Sequence, residues 1–444
     1  MKSKALRLAL AALVGTMAGS MGSAHPVLSF DETLDLKAPK GANFQSSKRD
    51  MRISVTLGHR YLIVDSPGSR EIFDFEKHCH YHLDLAAKTY NESSLFAQLG
   101  FAVLESQNRV LMNRMLSAAK LLDDMRSPPM VEQLFSVAVP GGDADIDTAK
   151  ADDGTVYRWQ GHDLLSISDA SQPLPGEYQR EYWRWLRINF GGHPKIYTDL
   201  EERSGVPELL RIVRPDGGVT TVTLRLKSVA NSSTAMYTLE GFSRATPNAE
   251  PYLTLHHLDG DASAALAVQT SATRRDMENS IAAGKGFDAF LAFMVLTNSA
   301  TDATSMLPPQ ATELFRSDAN AKAVAAVIQA HTKEQAESAV KTLTELRGQT
   351  TANYAYMLDV FAANHELDLR RTQDAERHFL AALAKNPYLT GAWFDLGNVY
   401  YATFRTAEAW ACWDTARALN PKHPLRQRVD ALEQRLLTES PHLF

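Results

Sequence analysis

Two stretches near the C-terminus repeat at one fixed spacing, and this limits the folds open to the chain more than any other feature. Ala375, Phe379, Ala382 and Pro387 recur, position for position, as Ala409, Trp413, Ala416 and Pro421. The first three of each set lie at i, i+4 and i+7, one face of a helix. Upstream of the second set, Trp393, Leu396, Gly397 and Tyr400 lie at i, i+3, i+4 and i+7 on another helix. Small residues let the two helices approach, and the aromatics fill the space beside them. Each proline ends a unit, because it cannot continue the helix. One such hairpin cannot bury its own apolar face, so it has to stack on neighbours.

The second copy, about residues 390 to 423, reads W-x2-L-G-x2-Y, then A-x3-W, A and P. It resembles the tetratricopeptide repeat (TPR), with Trp413 at the usual Phe position. The first copy, about 356 to 389, matches in its second helix. The resemblance covers 356–423 and implies a solenoid of helix pairs whose first helices line a groove for a peptide or protein partner. It assigns Phe394, Asn398 and Tyr401 to that groove, together with Asn364, which holds the place of Asn398 in the first copy. Asparagine amides offer both donor and acceptor to an extended backbone. Leu425, Val429, Leu432 and Leu436 form a further apolar stripe, expected as a capping helix over 424–440. Residues 263–355 read as helical, with a break near His331-Thr332, and are expected to supply degenerate partners for the stack.

The opposite end of the chain carries a targeting pattern. Lys2, Lys4 and Arg7 precede an apolar run to Val14, and Gly22 and Ala24 are the small residues a signal peptidase accepts. Residues 1–24 are expected to be a signal peptide cut after Ala24, giving an exported, periplasmic protein. No later run reaches the length of a membrane-spanning helix. Loss of Lys2, Lys4 and Arg7 takes the formal net charge from −6 to −9, which disfavours nonspecific nucleic-acid binding. Cys79 and Cys412 are the two cysteines, too few and too far apart for a disulfide framework. They are expected as separate, largely buried thiols.

Residues 25–50 read as a polar, irregular leader. Beyond them "MRISVTL", "HRYLIVD", "REIFDF" and "CHYHLDL" are short strand-like runs separated by turn residues. Their close spacing predicts an antiparallel meander. A helix is predicted from about Asn91 towards Leu122, with Ser93 or Ser94 as its cap. Strands are expected at "EQLFSVAV", "GTVYRWQ", "DLLSIS" and "AMYTLEGF", and a hairpin turning at Asp216-Gly217. Residues 51–250 thus form one sheet domain with helical insertions, and the fold class is α+β. In general pattern this domain resembles periplasmic half-barrel carriers of lipids or lipoproteins. That resemblance implies an apolar cavity under the sheet, with the helix bearing Phe96, Leu99, Phe101 and Val103 as a lid.

Two local patterns remain. His78, His80 and His82 alternate in "FEKHCHYHLD". With a turn at Glu76-Lys77, His80 and His82 share one strand face and Cys79, Tyr81 and Leu83 the other. Two strand histidines with a nearby carboxylate can hold zinc, and His25, His59, His256 and His257 are further candidates. An ordinary half-exposed strand shows the same alternation, and this solvated-face reading is preferred. In "EYQREYWRWLRINF" a helix puts Tyr178, Tyr182 and Trp185 on a core stripe and Arg180, Arg184 and Arg187 on a wet one.

There is no phosphate-binding glycine loop, Gly-x-Ser-x-Gly elbow, HExxH or paired CxxC. The chain is therefore read as a non-catalytic scaffold without cofactor or metal, binding a protein partner of the bacterial envelope. The alternatives are a lipid or lipoprotein carrier, and a metal-dependent enzyme built on His80 and His82.

Overall fold

The computed structural model describes residues 25–38, 43, 45–118, 127–139, 145–215, 218–232, 236–247, 249–256, 258, 261–299, 307–330 and 332–444. The signal-like segment 1–24, the turn residues Asp216 and Gly217, and His331 lie outside them. The chain divides into two compact units, Met1–Asn91 with Arg109–Ser243, and Glu92–Asn108 with Arg244–Phe444. The fold is α+β.

The first unit holds a large antiparallel sheet. Its strands are β1 (His25–Lys37), β2 (Ser47–Leu57), β3 (Tyr61–Ser66), β4 (Ser69–Asp74), β5 (Cys79–Asp84), β6 (Thr89–Ser94), β7 (Asp147–Ala151), β8 (Gly154–Trp159), β9 (His162–Ser168), β12 (Leu209–Arg214), β13 (Val219–Ser232) and β14 (Ser243–Arg244). Two short strands, β10 (Ser171–Gln172) and β11 (Val206–Pro207), pair separately. The sheet order is β14-β6-β5-β4-β3-β2-β1-β13-β12-β9-β8-β7. Strands β2 to β5 form the expected meander, which β1 and β6 extend at its two ends, and β13 returns to pair with β1 from His25↔Ser232 to Lys37↔Val219.

This corrects the reading of residues 25–50. They are not an irregular leader: β1 lies mid-sheet and residues 47–50 begin β2. The signal is present but interrupted. Leu28, Phe30, Leu34 and Leu36 alternate, but Glu32 breaks the run. Glu32 is itself buried, and burial raises its carboxyl pKa.

Helices α2 (Pro128–Phe135), α3 (Gly176–Phe190) and α4 (Pro194–Glu201) belong to the first unit, whereas α1 (Leu95–Ala118) is divided between the two. Its residues 95–108, with Phe96, Leu99, Phe101 and Val103, group with the second unit, where Phe96 meets Phe444 and Gly100 lies against Trp410, so they are not a lid of the sheet domain. Ser94 accepts a hydrogen bond from the Phe96 amide at the start of α1, as its cap position predicts. Residues 119–126, into which the pattern extends the helix, lie outside the described residues. The segment "EQLFSVAV" is not a strand, because its first half belongs to α2. Prolines 128 and 129 suit a helix start, and the polar side chains that follow hold the helix in place. Gln133 Nε2 donates to the carbonyls of Leu164 and Val213 at 2.9 and 2.8 Å, and its Oε1 accepts from the His193 amide. The Glu132 carboxylate meets His193 at 3.0 Å and accepts from the Val139 amide.

Helix α3 supplies the core. Tyr178, Tyr182, Trp183 and Trp185 are fully buried, and Trp185 stacks on Phe30 of β1 with centroids 5.3 Å apart. The arginine stripe is not wet throughout. Arg184 is buried over the Phe75 ring and paired with Glu181 at 2.8 Å. Arg187 is buried over Tyr197 and paired with Glu201 at 2.8 Å. Described residues 236–242 of "AMYTLEGF" form no strand. Tyr237, Leu239 and Phe242 instead cover the cluster Tyr61, Ile63, Ile72, Tyr81 and Leu83. The Tyr237 hydroxyl donates to Asp74.

In the second unit, α5 (Tyr252–His256), α6 (Ala262–Ala282), α7 (Gly286–Ser299), α8 (Pro309–Ser317), α9 (Ala319–Ile328) and α10 (Lys333–Gln349) precede the repeats. These comprise α11 (Met357–Asp368), α12 (Thr372–Lys385), α13 (Thr390–Ala402) and α14 (Thr406–Leu419), followed by α15 (Arg426–Glu439). The expected break falls between α9 and α10, where Thr332 and Gln335 form a capping box. A further break falls at Asp318, beyond what the sequence pattern predicts. Its carboxylate caps α9 by accepting from the Asn320 and Ala321 amides.

Candidate functional site

The two hairpins repeat in backbone as well as in sequence. The turn between α11 and α12 places Arg370 at φ 59°, and the turn between α13 and α14 places Phe404, its equivalent in the second copy, at φ 63°. The Arg371 amide donates to the Glu366 carbonyl at 2.8 Å, and the Arg405 amide to the Tyr400 carbonyl at 2.9 Å. Asn386 and Asn420 each end a second helix in extended backbone, and each side chain accepts from the amide two positions on. The same chemistry closes both units, so the repeat belongs to the fold and not only to composition.

Within the second hairpin the packing follows the residue sizes. Gly397 lies against Trp413, where a Cβ would fall 2.3 Å from the indole Nε1. That nitrogen donates to the Phe394 carbonyl at 3.1 Å. The Trp393 indole donates to the Pro387 carbonyl at 2.8 Å, fixing the turn between hairpins. Trp410 and Trp413 meet edge to face at 4.9 Å, and Tyr401 packs on both.

The four groove candidates separate in this environment. Asn398 is exposed and Asn364 half-buried. Tyr401 is half-buried beside the two tryptophans. Phe394 is 1 % exposed and stacks on His423 at 5.3 Å, so its ring packs the interior and is closed to a ligand.

One element of this face does not follow from the repeat pattern. Helix α7 packs against α9, α11 and α13, the first helices of three successive hairpins. Phe287, Phe290, Leu291, Val295 and Leu296 of α7 are buried. At its C-terminal end Asn298 Oδ1 accepts from the Ala392 amide at 3.3 Å, and the Ser299 carbonyl accepts from Asn420 Nδ2 at 2.9 Å. A Cβ on Gly391 would fall 2.7 Å from the Asn298 amide, so α13 and α7 meet closely there. The signal that could have found it is "GFDAFLAFMVLTNS", a helix apolar nearly all round, which must be covered on more than one side.

His80 and His82 lie on β5 as expected, and His78 falls in the turn before it with φ 53°. Tyr81 and Leu83 are buried on the opposite face. Glu71 of β4 lies directly across from His82, and its carboxylate accepts from both imidazoles. Burial works to raise the Glu71 pKa, but the hydrogen bonds and charges of His80 and His82 outweigh it and hold it low. His80 also stacks on Phe73 at 4.6 Å. Among the described residues, no group of three or more His, Cys, Asp or Glu side chains is placed to hold a metal ion. His257 and the side chain of His256 lie outside them. His25 and His59 meet each other, with ring centroids 5.8 Å apart. Neither Cys79 nor Cys412 is in a disulfide among the described residues; Cys412 is buried as expected, which raises its pKa well above the ordinary value, whereas Cys79 is only half-buried and donates to the Lys77 carbonyl.

The first unit has an open cavity of about 510 Å³. Lys37, Arg158 and Arg211 bring positive charge to its wall and Asp163, paired with Arg158 at 2.7 Å, brings negative charge, while Met130, Leu164 and Val213 contribute apolar surface. Among the described residues, no helix is long and apolar enough to cross a membrane.

No protein-family model and no curated protein matches the chain. Among solved structures, the MamA protein is similar at 14% identity over 39% of this chain and 92% of that one. Its TM-score of 0.20 is too low to define a shared fold. The all-helical C-terminal region is compatible with a TPR-like solenoid.

Proposed function

We propose that this protein is an exported, non-catalytic scaffold whose TPR repeats hold a protein partner in the bacterial envelope. The observation that carries the reading is the single period shared by sequence, turn backbone and closing asparagines. Stacked hairpins of this kind are extended surfaces for partners rather than catalytic chambers. Because α7 packs against the first helices α9, α11 and α13, the partner contact is assigned to the exposed surface around Asn398, extended towards Asn364. Export with cleavage after Ala24 belongs to the same reading and is supported by the basic and apolar pattern of residues 1–24.

Affinity capture from the periplasm tests it, with wild type beside Asn398→Arg and Phe394→Ala. Asn398→Arg should lose the partner without loss of stability, since the side chain is exposed. Phe394→Ala should destabilise the chain by about 3–5 kcal/mol, as expected for truncating a buried aromatic. Full retention of every captured protein by Asn398→Arg would sink this surface as the site.

A second reading keeps the carrier, on the strength of the cavity of about 510 Å³ with its apolar patch and, beyond the Arg158–Asp163 pair, the cations Lys37 and Arg211. It places an anionic amphiphile there and not beneath α3, where aromatics fill the core. Lipid extracted from the captured protein and lost in Arg211→Glu would favour it over the scaffold.

A further inference from the structure

His25 opens β1, His59 lies in the turn between β2 and β3, and Tyr178 is in the first turn of α3. These three converge within the first unit. His25 Nδ1 lies 3.2 Å from the Tyr178 hydroxyl, and His59 Nε2 lies 3.4 Å from the same oxygen. The His25 ring stands edge-on to those of His59, Tyr61 and Tyr178, and His59 stacks on Tyr178. A cavity of about 280 Å³ adjoins them, with His25, His59, Arg60, Asp74 and Glu76 in its wall.

We propose that, once the leader is removed, the α-amine and Nδ1 of His25 and Nε2 of His59 bind one Cu(II) ion beside the Tyr178 hydroxyl. This rests on the export reading, with cleavage after Ala24 making His25 the first residue. The two ring nitrogens that converge on the Tyr178 hydroxyl are the ones such a site needs, and the α-amine of the mature chain would supply the third. The α-amine and Nδ1 of one histidine close a six-membered chelate ring on a metal, which the amine and Nε2 cannot do. His25 presents Nδ1 to the common point, and His59 presents Nε2.

The second residue of the mature chain points the same way. Copper bound at a free N-terminus competes to deprotonate the next amide and take its nitrogen. Pro26 has no amide N–H to lose, so the imidazole remains the amine's chelating partner. Three nitrogens with an oxygen near them suit tetragonal Cu(II). Of the charges at the cavity wall, Glu76 offsets Arg60 at 3.9 Å and Asp74 is met by Lys77 at 3.6 Å. The site contains only two of the side chains commonly counted as ligands, and its affinity must therefore depend on the free amine.

The test uses the full mature chain released so that His25 is first, titrated with Cu(II) against a competing chelator and followed by electron paramagnetic resonance. One ion per chain should bind, with a tetragonal spectrum split by nitrogen. A form carrying Gly-Ser before His25, and the variants His59→Ala and His59→Gln, should each bind at least about 100-fold more weakly. Loss of a donor should exceed the roughly 10–100-fold that a supporting contact contributes. Thermal melts of all forms show whether the variants fold, and the extended form alters no side chain. Mature protein that binds copper no tighter than the Gly-Ser form overturns the proposal. N-terminal sequencing of the exported protein separates the two readings. A start elsewhere than His25 overturns the cleavage and the site with it, whereas a start at His25 without copper binding overturns the site alone.

Discussion

Replacing Gly397 by alanine tests whether the close helix contact of the second hairpin is real. In an unobstructed helix this change stabilises by about 1 kcal/mol, because glycine has the larger backbone entropy to lose. At Gly397 the added Cβ would sit 2.3 Å from Trp413 Nε1 and 2.4 Å from its Cδ1. Trp413 is 2 % exposed and held by Trp410 and Tyr401, so the indole cannot swing into solvent. Overpacking of this sort costs about 1–3 kcal/mol. Displacing the indole also weakens its hydrogen bond to the Phe394 carbonyl, a loss of about 1 kcal/mol. The net expectation is destabilisation by about 1–3 kcal/mol. Gly348 in α10 is the control, since a Cβ there meets nothing within 4 Å, and Gly348→Ala should be neutral or stabilising. Two compact units need not unfold together, so the readout is hydrogen exchange of peptides from α13 and α14 rather than one melting temperature. Faster exchange in Gly397→Ala, partly restored by Trp413→Phe, is the expected result. Equal protection in Gly397→Ala and Gly348→Ala would refute the contact.

Two further predictions concern the first unit. Glu71 has a depressed folded pKa, so its stabilisation is present above the ordinary carboxyl value of 4.5 and is lost as pH falls through the folded value. Glu71→Gln should therefore lower stability at neutral pH by about 1–2 kcal/mol and make no difference in acid; denaturant titrations at several pH values check this, and an equal offset at all pH would contradict it. In the buried pair of α3, burial pushes the Glu181 carboxyl up and the Arg184 guanidinium down to about 10, the mark of a pair whose desolvation is costly. Glu181→Leu alone should destabilise by about 3–5 kcal/mol, and Glu181→Leu with Arg184→Met should recover most of that in the same titrations.

The parts of this fold that can be read from the chain are those where one local period dominates. The repeat residues Ala375, Phe379, Ala409 and Trp413 mark the packed faces of α12 and α14, and all four are buried. Tyr81 and Leu83 mark the inner face of β5 in the same way. The misreadings share one cause, which is a partner distant in sequence. Residues 28–36 read as irregular because Glu32 interrupts the alternation, yet β13, from the far end of the sheet-forming sequence, pairs with the whole strand. "EQLFSVAV" reads as a strand until Gln133 finds the carbonyls of Leu164 and Val213. Phe394 shares a helical stripe with Asn398 and Tyr401, but His423 takes it into the interior. Periodicity shows which residues share a face and leaves open what covers that face.

The same distinction decides how the repeats can be used. Helix α7 lies against the first helices of three hairpins, and packs on α6 and α8 as well. Five of its buried side chains are Phe287, Phe290, Leu291, Val295 and Leu296. Burying each is worth about 1.5–3 kcal/mol, so the five contribute on the order of 10 kcal/mol, shared among α6, α8 and the first helices that α7 touches. A micromolar peptide contributes about 8 kcal/mol, so displacing α7 would consume most or all of its binding energy. A partner of ordinary affinity therefore has to use surface that α7 leaves open. Asn398 is exposed with α7 in place, whereas Phe394 is not, so the decisive substitutions are those that alter the surface at 398 and spare the packing at 394.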